Sequence, residues 1–397
     1  VLYGRGDSVL ENKEKCVSKI IETIELITPS PGTSRQLKVH HYGTPGAGPK
    51  AYFQAALHSD EYPGLLVANH LIALLDEADA EGAIEGEIIV VPVANPIGLG
   101  QQLNGQHVGR YEFSGGGNFN RSWPDLSEPV YGAVQGKLGA DEKANIAVIR
   151  EALQKEVAAM NVVTEFDGLR KALMGLSITA DMVFDLHCDN EALMHLYSSV
   201  RHTDLVAELA RDIAAPVSLL EMDPGGGPFD EANAGVWWRL AEKAGEGVPI
   251  PAACFAVTVE LRGRNDVFDD MARNDARGLF RFLQRRGVIA GDPGPLPKAV
   301  GELTPLEGTD VIRSPGSGIV AYKKDLGDTV EAGEVIGELI DLMADDPGNA
   351  RTPITSKASG LFFTRMNEKL VRQGAEICKV AGKEPLEHRK AGGLLES

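Results

Sequence analysis

Ala51-Tyr52-Phe53-Gln54-Ala55-Ala56-Leu57 runs without a break into His58-Ser59-Asp60-Glu61-Tyr62-Pro63-Gly64. The first seven residues, nearly all apolar, read as a buried strand, and the Pro-Gly step marks where the chain must turn. A histidine and two carboxylates crowd the end of that strand. Beyond it, Leu65, Ala68, Ile72 and Leu75 share one helical face, so a helix begins near Leu65. Ser59, Asp60 and Glu61 suit the cap and first turn of such a helix, and Pro63 suits its first turn. The same letters set His58 and Glu61 three apart. In a turn, that spacing lets an imidazole and a carboxylate reach one ion at about 2 Å.

Outward from this stretch the pattern repeats. Ile88-Ile89-Val90-Val91-Pro92-Val93 and Met182-Val183-Phe184-Asp185-Leu186 read as buried strands. Phe255 to Leu261 (FAVTVEL) alternates, with Phe255, Val257, Val259 and Leu261 on one face and Glu260 on the other. Helical faces recur in residues 145–160 and 204–213. Strands alternating with helices predict an α/β domain over residues 1–288, with a mixed, largely parallel sheet flanked by helices.

Residues 289–308, rich in Pro and Gly, read as a linker. Residues 309–384 change character, with short β-branched runs between Gly turns. Ser314-Pro315-Gly316-Ser317-Gly318 returns as Ser356-Lys357-Ala358-Ser359-Gly360. Gly327-Asp328-Thr329-Val330-Glu331-Ala332-Gly333 returns as Glu368-Lys369-Leu370-Val371-Arg372-Gln373-Gly374. Two similar halves predict a small all-β domain with internal pseudo-symmetry. It resembles the barrel-sandwich biotinyl/lipoyl carriers, but the turn between the halves, Asp341 to Gly348, has no lysine to modify. Residues 385–397 read as a loose polar tail.

A chain of 397 residues suits two or three domains. Its net charge of −18 argues against nucleic-acid and anionic-membrane partners, which need a basic face. No apolar run reaches the length of a membrane span. Val1 to Cys16 lacks a signal peptide's apolar core. The scattered cysteines, Cys16, Cys188, Cys254 and Cys378, form no C-x-x-C pair, which fits a reducing, cytoplasmic compartment.

A catalytic zinc needs a third protein ligand and an open position. Of nine histidines, His187 ends a clearly buried run, FDLHCD. Open α/β sheets bind ligands at the carboxyl ends of their strands, where both His58 and His187 would lie. Asp185 or Asp189 could orient an imidazole, or either could simply bond a core histidine. Glu260 is costly on its strand unless paired or functional, so it is either a base for water or the partner of Arg262 or Arg264. Arg110 and Arg121, in a Gly-rich stretch of an acidic chain, have the fork geometry for a carboxylate. Asn120 could add a donor.

In order along the chain, ALHSDEYPG, VANPIG, NFNRSWPD, FDLHCD and TVELRG resemble the succinylglutamate desuccinylase/aspartoacylase family, a branch of the zinc carboxypeptidase-like fold. The resemblance covers roughly residues 50 to 285. It implies one zinc per chain on His58, Glu61 and His187, with Glu260 as general base and acid. It further implies Asn120 and Arg121, together with Arg110, as contacts to a substrate carboxylate; in the hydrolytic mechanism Arg110 is also the candidate to hold the developing oxyanion. The implied substrate is a small N-acyl amino acid with a carboxylate, cleaved at its amide; a homo-oligomer is compatible. A biotinyl-like C-terminal domain is similar to that of a subgroup including N-acetyl-diaminobutyrate deacetylases. Two departures stand out: Ser59 where the family commonly has Gly, and a longer loop from Arg110 to Asn120. A zinc carboxypeptidase acting on peptides and a non-enzymatic carrier or binding module are the competing readings.

Overall fold

The computed structural model describes residues 18–28, 30–222 and 225–389. Cys16, the rest of the N-terminal stretch, Asp223, Pro224 and the tail from 390 onward lie outside the described residues. Among the described residues the largest sheet has nine strands. Their order is Ile20–Glu25, Gln36–Gly43, Glu87–Val91, Lys50–Ala55, Met182–Asp189, Phe255–Gly263, His195–Ser199, Val217–Glu221 and Glu302–Pro305. The four central strands from Glu87–Val91 to Phe255–Gly263 run parallel. Antiparallel pairs flank them, so the sheet is mixed.

Neighbouring residues on a strand point to opposite faces, and here each face meets its own helical layer. Tyr52 and Val183 enter one core with Phe166, Phe229 and Trp237, under helices Glu142–Ala159, Glu165–Ser177 and Phe229–Ala244. Phe53, Phe184, Val257 and Val259 enter the other with Leu71 and Phe282, under helices Pro63–Ala80 and Asp269–Arg285. The Phe53 and Phe184 rings stack at 4.3 Å across adjacent strands. Burying a side chain of this size stabilises by roughly 1.5–3 kcal/mol, so the middle of the sheet is the rigid part. That rigidity is passed to the side chains at its ends.

The first helix starts at Pro63, two residues before the sequence places it. Its cap is Tyr62 without a side-chain bond, and no acidic residue lies in its first turn. Ser59, Asp60 and Glu61 therefore precede the helix and are not its cap. Val67, Ala68, Leu71 and Leu75 form its buried stripe, while Leu65 and Ile72 lie at the margin.

Residues 289–308, expected as a linker, contain two ordered pieces. Glu302–Pro305 adds a parallel edge strand beside Val217–Glu221, and Leu306–Gly308 is a helical turn. Past it lie two small antiparallel sheets. The repeat seen in the sequence is a repeat of strands. Thr309–Arg313, Gly318–Tyr322, Thr329–Val330 and Val335–Ile340 are followed by Arg351–Thr355, Gly360–Arg365, Leu370–Val371 and Glu376–Gly382. This β unit is bonded to the α/β unit: Glu191–Ala192 pairs antiparallel with Thr364 and Arg365.

Candidate metal centre and its cavity

Parallel register aligns Ala55 with Leu186, and Glu260 with His187. The ends of three adjacent strands therefore present His58, His187 and Glu260 together. His58 and His187 each turn Nδ1 towards Glu61. His58 Nδ1 lies 3.0 Å from Oε1, and His187 Nδ1 lies 2.8 Å from Oε2. The ligand-type atoms of His58, Glu61 and His187 all fall within 4.8 Å of one another, and all three residues are buried.

Each Nε2 faces away from Glu61 and has its own partner. That of His58 is 2.8 Å from Asn118 Oδ1. That of His187 is 2.8 Å from Asp185 Oδ2, while Asp185 Oδ1 accepts from Gln54 Nε2 at 2.9 Å. The Tyr52 hydroxyl in turn donates to Gln54 Oε1 at 2.9 Å. Such contacts fix which ring nitrogen is offered to an ion. Of the two aspartates left open by the sequence, Asp185 holds the imidazole. Asp189 accepts from Lys379 Nζ instead, at 3.0 Å.

The electrostatics favour a cation. Burial pushes the Glu61 carboxyl up, yet the two neighbouring imidazoles outweigh it and hold Glu61 well below the usual carboxylate range. Burial and the nearby Arg110 guanidinium lower the His58 pKa, keeping the ring neutral as a ligand must be. His187 goes the other way. Burial opposes its proton, but Asp185 and Glu61 hold the pKa well above its ordinary value. Two buried carboxylates thus demand a positive charge between them. A proton on His187 and the Arg110 Nη1, 3.0 Å from Glu61 Oε1, supply it here. A divalent ion would meet the same demand while releasing the His187 Nδ1 proton. The residues fit the metal.

His58, Arg110 and His187 line an open cavity, with about 640 Å³ of free space including its mouth, together with Asn120, Arg121, Tyr197, Glu221, Pro228, Asp230, Thr258 and Leu306. Glu260 enters it from the strand face opposite the Val257/Val259 row. The arginines offered as its partners are engaged elsewhere: Arg262 with Asp275, and Arg264 with Asp60 at 3.1 Å. Through the second pair Asp60 ties the turn to the segment that follows the Glu260 strand. The sheet register shifts between Glu260 and Gly263. Backbone strain collects around the site. Ala56, Ser122 and Arg262 have φ of 59°, 56° and 65°, each within two residues of His58, Arg121 or Glu260. Each costs on the order of 1–2 kcal/mol, a cost tolerated where packing fixes a functional geometry.

Residues 47–166 match the model of the Succinylglutamate desuccinylase/Aspartoacylase catalytic domain. Over 92% of this chain and 99% of the other, the fold superposes on a succinylglutamate desuccinylase/aspartoacylase family protein from Shewanella amazonensis, at a TM-score of 0.81 and 29% identity. The chain is similar to succinylglutamate desuccinylase/aspartoacylase proteins, in sequence pattern over residues 47–166 and in fold over most of its length. A family protein from Shewanella frigidimarina gives a TM-score of 0.81 at 25% identity, covering 94% of this chain and 100% of that one. The N-alpha-acetyl-L-2,4-diaminobutyric acid deacetylase of Halomonas elongata is 23% identical, over 85% of this chain and 83% of that protein.

Beside these relatives, the structure sorts the residues read from the sequence. His58, Glu61 and His187 come together, and Arg110, Asn120, Arg121 and Glu260 line one cavity with the two imidazoles. Asn120 is turned inward: its Oδ1 accepts from the Phe229 backbone at 2.8 Å and its Nδ2 lies 3.3 Å from His187 Nε2. Sequence reasoning missed Asn118, Tyr197, Glu221, Asp230, Thr258 and Leu306. For Thr258 a signal existed, because it stands two residues before Glu260 on the same strand face. Asp230 is buried, and burial together with Asp185 raises its pKa to about 6. Its Oδ2 accepts from Thr258 Oγ1 at 3.2 Å.

Proposed function

We propose that this chain is a zinc-dependent deacylase that hydrolyses the amide of a small N-acyl amino acid carrying a free carboxylate. The observation that supports this best is convergence. One cavity is lined by two imidazoles of the buried His/Glu/His set, an acidic side chain on the strand adjacent to that of His187, and two arginines. A zinc ion on His58, Glu61 and His187 would polarise the acyl carbonyl and lower the pKa of water towards about 7. Glu260 takes the proton of the attacking water and returns it to the leaving amine. Arg110 supplies donors to the developing oxyanion, and Asn120 and Arg121 orient the carboxylate.

The wall formed by Leu306 favours small substrates over a peptide chain. The absence of lysine from residues 341–350 speaks against a carrier role. We also take the amine half to carry a second amino group. Glu221 and Asp230 add acidic groups to the cavity, and the Halomonas relative is a diaminobutyric acid deacetylase. The buried thiols of Cys188, Cys254 and Cys378 fit a cytoplasmic enzyme.

The test is turnover of N-acetyl, N-succinyl and N-formyl amino acids and of dipeptides by zinc-loaded protein, with Glu260→Gln beside it. The proposal expects turnover of an N-acyl amino acid, no turnover of dipeptides, and a loss of at least about 10²–10⁴-fold in Glu260→Gln with metal content unchanged. Normal turnover in that variant would sink the role given to Glu260.

A further inference from the structure

The C-terminal β unit sends one charged side chain into the interior beside the metal centre. Lys379 Nζ lies 3.0 Å from Asp189 Oδ2 and 3.1 Å from Glu376 Oε1. The side chains of Lys379 and Asp189 are only 1% and 5% exposed. A lysine this deep is rare unless it is paired, because desolvating the ammonium is expensive. Its partner sits two residues beyond His187 on the same strand, Met182–Asp189. Burial pushes the Asp189 carboxyl up, but Lys379 and His195 outweigh it and hold the group ionised.

The neighbouring contacts converge on the same strand ends. The Asn190 side chain meets Met366 sulfur at 3.5 Å, and the Leu193 amide donates to Phe363 O at 2.8 Å. The Phe363 ring packs edge-on to His195 with centroids 5.0 Å apart. His195 is the cross-strand partner of Glu260. Residues of the β unit thus brace both the His187 strand, through Asp189, and the Glu260 strand, through His195.

Resting on the reading of His58, Glu61 and His187 as a metal site, we propose that Lys379 is a positioning residue. By pairing with Asp189 across the junction of the two units, it sets His187 for the ion. The physical reason is the distance over which a strand end relaxes. The ladder with Phe255–Gly263 pairs Glu260 with His187 and resumes only at Gly263 with Asp189. In that interval the backbone after His187 is held less by strand pairing. The ion pair at Asp189 takes its place.

The test uses the full chain, with zinc or cobalt as the probe. Lys379→Met is expected to weaken metal affinity roughly tenfold, as loss of a group supporting a metal ligand does. It should lower kcat more than it raises KM and shift the visible spectrum of the cobalt-loaded protein. Because a lone buried Asp189 could prevent folding, the neutral pair Asp189→Asn/Lys379→Met is measured too. Removing both charges leaves neither uncompensated, so that protein is expected to fold and still to bind metal more weakly. A folded double variant with wild-type metal affinity and an unchanged cobalt spectrum would overturn the proposal. Metal affinity is read independently of turnover. A wild-type protein inactive on every N-acyl amino acid would therefore end the deacylase reading without touching this inference.

Discussion

Asp230 departs from the ordinary behaviour of an aspartate. It has 6% exposure at the start of helix Phe229–Ala244, and burial with the nearby Asp185 charge raises its pKa to about 6. The sign of the pH effect follows. Below about pH 4 the folded and unfolded chains both hold the proton. Between about pH 4 and 6 the unfolded chain loses it first, so stability falls across that window and then levels off. A shift of about two units, at about 1.4 kcal/mol each, puts the fall near 3 kcal/mol. Asp230→Asn removes the titration; its amide oxygen can still accept from the Glu231 amide, and its NH2 can donate to Thr258 Oγ1 where the carboxylate had accepted. In metal-free protein the variant should be more stable than wild type at pH 7.5, by up to about 3 kcal/mol, with the advantage gone near pH 4. Urea unfolding across that range is the measurement, and a pH-independent difference would contradict the assignment. Nothing in the sequence marks this residue. Its carboxyl is adjacent to Asp185 only because a helix from beyond residue 228 returns over the sheet.

At the scale of elements, the turn at residues 58–62 is shaped by glycines on another segment. A Cβ on Gly109 would stand 2.6 Å from the Asp60 amide and 2.2 Å from Ser59 Oγ, and one on Gly98 would stand 2.4 Å from Ser59 Oγ. The Ser59 side chain, at the position where the family commonly has Gly, fits because these two residues carry no side chain of their own. Gly109→Ala must push backbone lying between the metal ligands His58 and Glu61. Overpacking of this kind costs about 1–3 kcal/mol. The variant should melt earlier and bind zinc more weakly, as read by calorimetry and metal titration. Because the clash is partly with backbone, adding Ser59→Gly should restore only part of the loss. Full recovery in the double variant would mean the hydroxyl alone was responsible. The strands and helices that carry the site were legible because their apolar periodicity is local: Met182, Phe184 and Leu186, or Phe255, Val257 and Val259, announce their face within a few residues. The His58/Glu61/His187 group was legible because both histidines end such runs and Glu61 follows His58 by three residues. What was not legible depends on register and return paths. The bracing of Asp60 by Arg264 joins residues about two hundred positions apart, and Glu302–Pro305 becomes a strand only because an edge beside Val217–Glu221 is open to it.

For the whole molecule, the joint between the two units is part of the cavity wall. Leu306 lines the cavity and packs with Val217 and Leu219 of the large sheet and Phe363 and Ala381 of the β unit. The same side chain therefore serves cohesion between the units and limits the space left for substrate. The two roles predict linked but separable effects of Leu306→Ala. Removing a buried leucine to alanine costs about 2–5 kcal/mol, so the melting temperature should fall. The space vacated adjoins the cavity, so an acyl group longer than acetyl should gain relative to acetyl. Accommodating an extra methylene or two is worth about 1–3 kcal/mol, enough to raise the kcat/KM ratio of butyryl to acetyl substrate by tenfold or more. Assays well below the variant's melting temperature separate the effects, since lost stability alone lowers activity on both substrates equally. An unchanged ratio would place the acyl group away from the joint, towards the Arg121 side of the cavity. The β unit would then act on the reaction only through the strand ends it braces.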